Sequence, residues 1–178
     1  MTIETFTFDK PPESQKRLLL TLELIPSTAW GSNLREILPR SEWDKLRKGR
    51  YKIAEFCCEI CGKYGFDQGF SWPVECHEVW DFDEDKGIQK LVRLIALCPL
   101  CHQVKHFGRT ELMGDADRAV MHLMHVNRWS RQDALKHIKE AAEAWERRSA
   151  MKWTLDVTHL QELGVPLPND GLFWPGPG

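Results

Sequence analysis

The chain lacks the features that mark membrane proteins, repeat arrays and generally cationic nucleic-acid binders. No apolar run approaches the ~20 residues needed to span a bilayer. The opening Met1-Thr-Ile-Glu-Thr has none of the basic-then-apolar pattern of a secretion signal. A cytoplasmic protein with no membrane partner is therefore expected. No segment repeats another, which excludes a solenoid. Positive charge is not in excess either: the formal net charge is -2, so a nucleic-acid partner has to be held by a local basic surface and not by bulk attraction.

What is present is the composition of a folded chain, with 178 residues, 42% of them hydrophobic and 28% charged. That length suffices for one domain with a buried core. Six cysteines in a reducing compartment, most of them in closely spaced pairs, argue for metal binding over disulfides.

Along the chain, residues 1 to 17 read as a loose lead-in. Arg17 to Ile25 is leucine-rich, short and closed by Pro26; a strand is expected, with helix as the alternative. Ser27 to Pro39 reads as irregular. Ser41 has the character of an N-cap opening a helix through Phe56. Between Arg35 and Lys52 there are seven basic residues against three acidic ones, which makes this the best candidate for a phosphate-facing surface, with Arg47 and Arg50 as substrate contacts. The bland reading is a solvated helix face.

Pro73 to Phe82 and Ile88 to Leu97 read as paired strands around the acidic turn Asp81 to Gly87. A short helix after Pro99, ended by Gly108, should carry His102 and His106 on one face, because residues four apart are neighbours there. Ala116 to Asn127 and Ser130 to Ser149 read as helices, the second with Leu135, Ile138, Ala142 and Trp145 on one side. A last strand, Trp153 to Val157, is expected to pair with Leu20 to Ile25, and the tail from Gly164 to be mobile. His122, His125, His137 and His159 read as surface or packing residues. The fold class expected is α+β.

The information concentrates between Cys58 and His106. Cys58-x-x-Cys61-Gly62 and Cys98-x-x-Cys101 can each chelate from a tight turn, and four thiolates satisfy tetrahedral zinc with no open position, so this site is structural. Cys57 competes with Cys58, but the two-residue spacing and Gly62 favour Cys58.

Cys58-x-x-Cys61, Cys76-His77 on a strand, and Cys98-x-x-Cys101-His102-x-x-Lys105-His106 together resemble an HNH nuclease of the ββα-metal superfamily. The resemblance covers residues 58 to 109, leaving 1 to 57 and 110 to 163 as flanks and 164 to 178 as tail within one domain. It implies a zinc-stapled ββα-metal centre and divalent-metal-dependent endonucleolytic cleavage of DNA. Carried over by position, it puts the general base at His77 and the ligands of a catalytic ion at His102 and His106; Lys105 and Arg109, flanking the histidines, read as phosphate contacts. Imidazoles titrating near neutrality suit proton transfer from water. An ion beside the phosphate suits the charge that builds there.

Two positions depart from the family pattern. Cys76 stands where a His or Asp ligand is usual, with Glu75 and Glu78 beside it. A thiolate with two imidazoles favours zinc, nickel or manganese over magnesium, whereas Glu75 or Glu78 at the ion would restore harder metals. Arg93 falls where the family has a bracing Asn, and can brace, contact phosphate or mark a degraded site. The alternative function is a non-catalytic zinc module, binding nucleic acid or a protein, in which Cys76, His102 and His106 close a second structural site. Oligomeric state stays open; paired cuts would need a homodimer or two visits.

Overall fold

The computed structural model describes residues 18–165 and 167, and the backbone of 173–175. The chain has the expected α+β architecture. A hairpin sits at its centre: β1 (Glu75–Asp83) turns at Gly87 into the antiparallel β2 (Ile88–Leu97), with His77 opposite Ile95 and a bulge at Val79/Trp80. The sheet order is β1-β2-β3-β4, where β3 is Thr154–Asp156 and β4 is Phe173–Pro175. β1 is therefore an edge strand.

Alternation along the hairpin sends successive side chains to opposite faces, and each face has its own core. On one face Ile95 and Leu97 pack with Val104 and Leu123. These come from α3 (Pro99–Lys105) and α5 (Ala116–Asn127). On the other, Trp80, Leu91 and Leu94 pack with Leu34, Trp43, Leu46 and Leu160. Those belong to α1 (Leu34–Ile37), α2 (Arg40–Ile53) and α7 (His159–Glu162). Each fully buried leucine here contributes about 2 kcal/mol.

Several sequence expectations are corrected. Residues 18–25 form no strand and do not pair with β3, which instead runs parallel to the start of β2, Ile88 opposite Thr154. The segment lies extended along the helices. Its backbone is satisfied by side chains and by one carbonyl: Leu20 N–H donates to Asn127 Oδ1, Leu22 N–H to His137 Nε2, and Glu23 N–H to the Lys105 carbonyl. Those bonds replace a ladder. Helix α2 begins at Arg40 after Pro39, so Ser41 lies inside its first turn. Within Ser27 to Pro39 there is a 3-10 turn at Ser27–Ala29, followed by α1, which Asn33 caps.

Gly108 does not end the helix after Pro99. The break falls at His106 (φ -96, ψ 43), and α4 (Phe107–Leu112) runs straight through the glycine. Thr110 closes the break, its hydroxyl donating to the Gln103 carbonyl. In α6 (Arg131–Ser149), Ser130 and Asp133 form a capping box. The packed face is Ala134, Ile138 and Ala141, while Leu135 is exposed.

The expected loose lead-in falls on residues 1–17, outside the described residues. Most of the tail expected to be mobile lies outside them too. Of the remainder, Val165 is buried and Phe173–Pro175 pairs with β3. Among the described residues no helix is long and apolar enough to cross a membrane.

Candidate functional site: two ligand clusters on one helix

The first cluster is Cys58, Cys61, Cys98 and Cys101, whose sulfurs all lie within 4.8 Å of one another. Two turns build it. Cys58 to Gly62 curls so that Gly62 N–H donates to the Cys58 carbonyl, and Gly62 sits at φ +72, a conformation that other residues adopt only with strain. Pro99 at the first position of α3 sets the second turn. Gly65 lets the two halves approach: a Cβ there would meet the Trp72 carbonyl oxygen at 2.0 Å and the Pro99 ring at 2.8 Å.

Side chains also reach the sulfurs. The Gln68 amide donates to Cys98 Sγ at 3.1 Å, and His122 Nε2 lies 3.2 Å from Cys101 Sγ. Hydrogen bonds starting with that from Cys101 lower the Cys98 thiol, whereas Cys101 is pushed up, first by Cys58. Four thiolates this close need a shared cation, and the cluster can hold a metal ion such as zinc. The contact from His122 is not readable in sequence, because it depends on α5 packing against α3.

The second cluster is His77, His102 and His106, with ring nitrogens again within 4.8 Å of one another. The rings meet edge to face, with centroids 4.5 to 5.4 Å apart. His102 comes from α3, His106 from the break that follows it, and His77 from β1. Two carboxylates back them. His77 Nε2 is 2.7 Å from Glu23 Oε2, and His102 Nδ1 is 2.7 Å from Glu75 Oε2. An ionised carboxylate only accepts, so at the Glu23 bond His77 Nε2 carries the proton and, with its pKa lowered, Nδ1 keeps a lone pair.

Burial keeps His77 below its ordinary pKa despite Glu23, and burial with the neighbouring His102 takes His106 down to about 3. Unprotonated imidazoles fit a transition-metal ion. Burial opposes ionisation of Glu23, but the His77 bond and the Lys105 ammonium outweigh it and hold its pKa low.

The imidazoles open into a cleft of about 420 Å³ that follows the free edge of β1, with Trp30, Asn33, Arg35, Trp80, Glu78 and Arg109 among its lining. Burial raises the Glu78 carboxyl to about 7, against the bond it accepts from Leu34 N–H.

Several expected site residues stand apart from the imidazole cluster. Cys76 is not grouped with the imidazoles. It lines the same cleft, but from the strand face opposite to His77: it packs against the second core, its N–H bonds Tyr51 and burial raises its thiol. Lys105 is buried at 4% exposure and bonds Glu23 and Thr21, so it is not presented to a phosphate. Arg50 is likewise buried and paired with Glu59, which also accepts from Ala96 N–H. That pair ties α2 to the cysteine turn. Arg93 stands opposite Val79 and does not line the cleft. Arg109 does line it, and Arg47 is half-buried beside Asp44.

Glu23 is the site residue that sequence reasoning misses. Its readable signal is a lone acid inside an apolar run, Thr21-Leu-Glu-Leu-Ile25. Comparisons with family models, with curated proteins and with solved structures each return no match.

Proposed function

We propose that the chain is a divalent-metal-dependent endonuclease of the HNH type, hydrolysing phosphodiester bonds in DNA. One observation carries the reading: three imidazoles converge in an open, arginine-lined cleft, separate from a cysteine cluster that is closed. A purely structural centre has no use for the opening.

His102 and His106 would hold the ion, with Glu75 fixing the orientation of His102. When bound, a divalent ion supplies electrostatic stabilisation of the charge that develops on the phosphate. His77, low in pKa and fixed on Glu23, accepts the proton of the attacking water. Arg109 at the cleft wall pairs with phosphate oxygens. With Cys76 outside the cluster the ligands are imidazoles, which suit zinc, nickel or manganese; a carboxylate reaching the ion would bring magnesium nearer.

A zinc-binding module without catalysis is the second reading. The closeness of Glu75 to His102 favours it, because one carboxylate moving inward would close the site. Nicking of supercoiled plasmid by wild type and His77→Ala across a metal series separates the two. The nuclease reading expects nicking with at least one metal and a loss of about 100-fold or more in the variant. No cleavage with any metal, or equal cleavage by both proteins, contradicts it.

A further inference from the structure

Next to the imidazole cleft lies a second cavity, of about 570 Å³, lined by Arg35, Arg40, Trp43, Asp44 and Arg47. Arg35 and Trp43 line both cavities, so the two are contiguous. The charge there is unbalanced. Asp44 accepts from Arg47 Nε at 2.7 Å, and among the described residues neither Arg35 nor Arg40 has a carboxylate within ion-pair distance. Both are exposed at the surface.

An independent observation comes from Trp43. It is 7% exposed, and its indole N–H is buried with no acceptor among the described residues. Buried donors are normally partnered, and one left open beside three guanidinium groups calls for an anionic acceptor. α2 fixes three of these residues at positions 40, 43 and 47, which spacings of three and four place on one face. Arg35 comes from α1 across the gap.

We propose that Arg35, Arg40 and Arg47, with Trp43 at their base, form a phosphate-binding subsite contiguous with the imidazole cleft. It takes a backbone phosphate of the bound strand other than the one being cut. The identity of that strand as DNA rests on the nuclease reading above; the preference for phosphate does not. Arginine forks match phosphate oxygens bidentately, and a strand lying along the free edge of β1 would run from Arg109 past the imidazoles to this cavity. The subsite gives the otherwise unexplained basic stretch of α1 and α2 a role in register.

The test is fluorescence anisotropy of a labelled DNA duplex with full-length His77→Ala protein, without added divalent metal, over a series of salt concentrations. Adding Arg35→Gln or Arg40→Gln should each reduce the slope of log affinity against log salt by about 1. Each should weaken binding about three- to tenfold near physiological salt. Trp43→Phe removes the donor together with part of the packed ring, so, in protein shown by circular dichroism to be folded, it should lower affinity with the slope unchanged. Slopes and affinities equal to the parent in both arginine variants overturn the subsite.

Failure of the parent to bind DNA at any salt overturns the nucleic-acid reading alone. The subsite is then decided by calorimetric titration of wild type and the double arginine variant with inorganic pyrophosphate. Binding that depends on Arg35 and Arg40 supports it, and absence of such binding overturns it.

Discussion

Cys101 and His102 are adjacent in sequence, yet they serve centres of opposite character. Cys101 is fully buried, and the shell around its cluster is closed by Gln68 and His122. His102 turns to the other side of α3, keeps 24% of its side chain exposed and borders the cleft. Residue type follows this division. Four sulfurs would leave an ion no vacant position, whereas the two imidazoles proposed as ligands, with His77 as base, would leave positions open. On the proposed reading, a short helix anchors a scaffold with one face and presents chemistry with the other. The comparison predicts that damage to the two clusters differs in kind.

The largest effect is expected at the cysteines. Cys58→Ser or Cys101→Ser should cost the folded state, since a structural zinc contributes on the order of 10 kcal/mol to such modules. Circular dichroism and metal analysis would show unfolding together with loss of the ion. Next, His106→Ala should lower plasmid nicking about 100-fold or more while leaving the melting temperature within a few degrees. Unfolding of that variant would erase the distinction between the clusters.

Glu23→Gln comes third. It leaves Lys105 as a buried charge without its partner and should cost about 3 kcal/mol, read by urea denaturation. Its pH dependence has a definite sign. The folded pKa of Glu23 is lowered, so the pair's contribution is complete above the ordinary carboxylate value of 4.5 and is lost as pH falls through the folded value. The gap between wild type and variant should therefore be widest at neutral pH and shrink in acid. Cys76→Ser should do least, changing stability by about 1 kcal/mol and leaving the metal count of the purified protein as it was.

The parts legible in the sequence are those with local causes. Two Cys-x-x-Cys turns, a hairpin around an acidic loop and two histidines one helical turn apart are each set by spacing, and the structure brings these residues together. The errors arise where a residue's neighbour is distant in sequence. Cys76 is read as a possible ligand by its adjacency to His77, but strand alternation sets it against the other core, so it lines the cleft without joining the imidazole cluster. Lys105 looks like a phosphate contact until Glu23, more than eighty residues earlier, is found across from it. The run from Leu18 to Ile25 has strand composition and an extended path, but its backbone partners are Asn127, His137 and Lys105. No local pattern announces a segment held by side chains.

The division of labour between the clusters is tested most directly by counting ions after mild chelation. Purified wild type loaded with zinc or manganese should hold two ions per chain, lose one to a chelator without change in near-ultraviolet circular dichroism, and lose nicking activity with it. A His102→Ala/His106→Ala variant should start with one ion and keep it. Two chelator-resistant ions in wild type, or a chelated protein that still nicks DNA, would contradict the account.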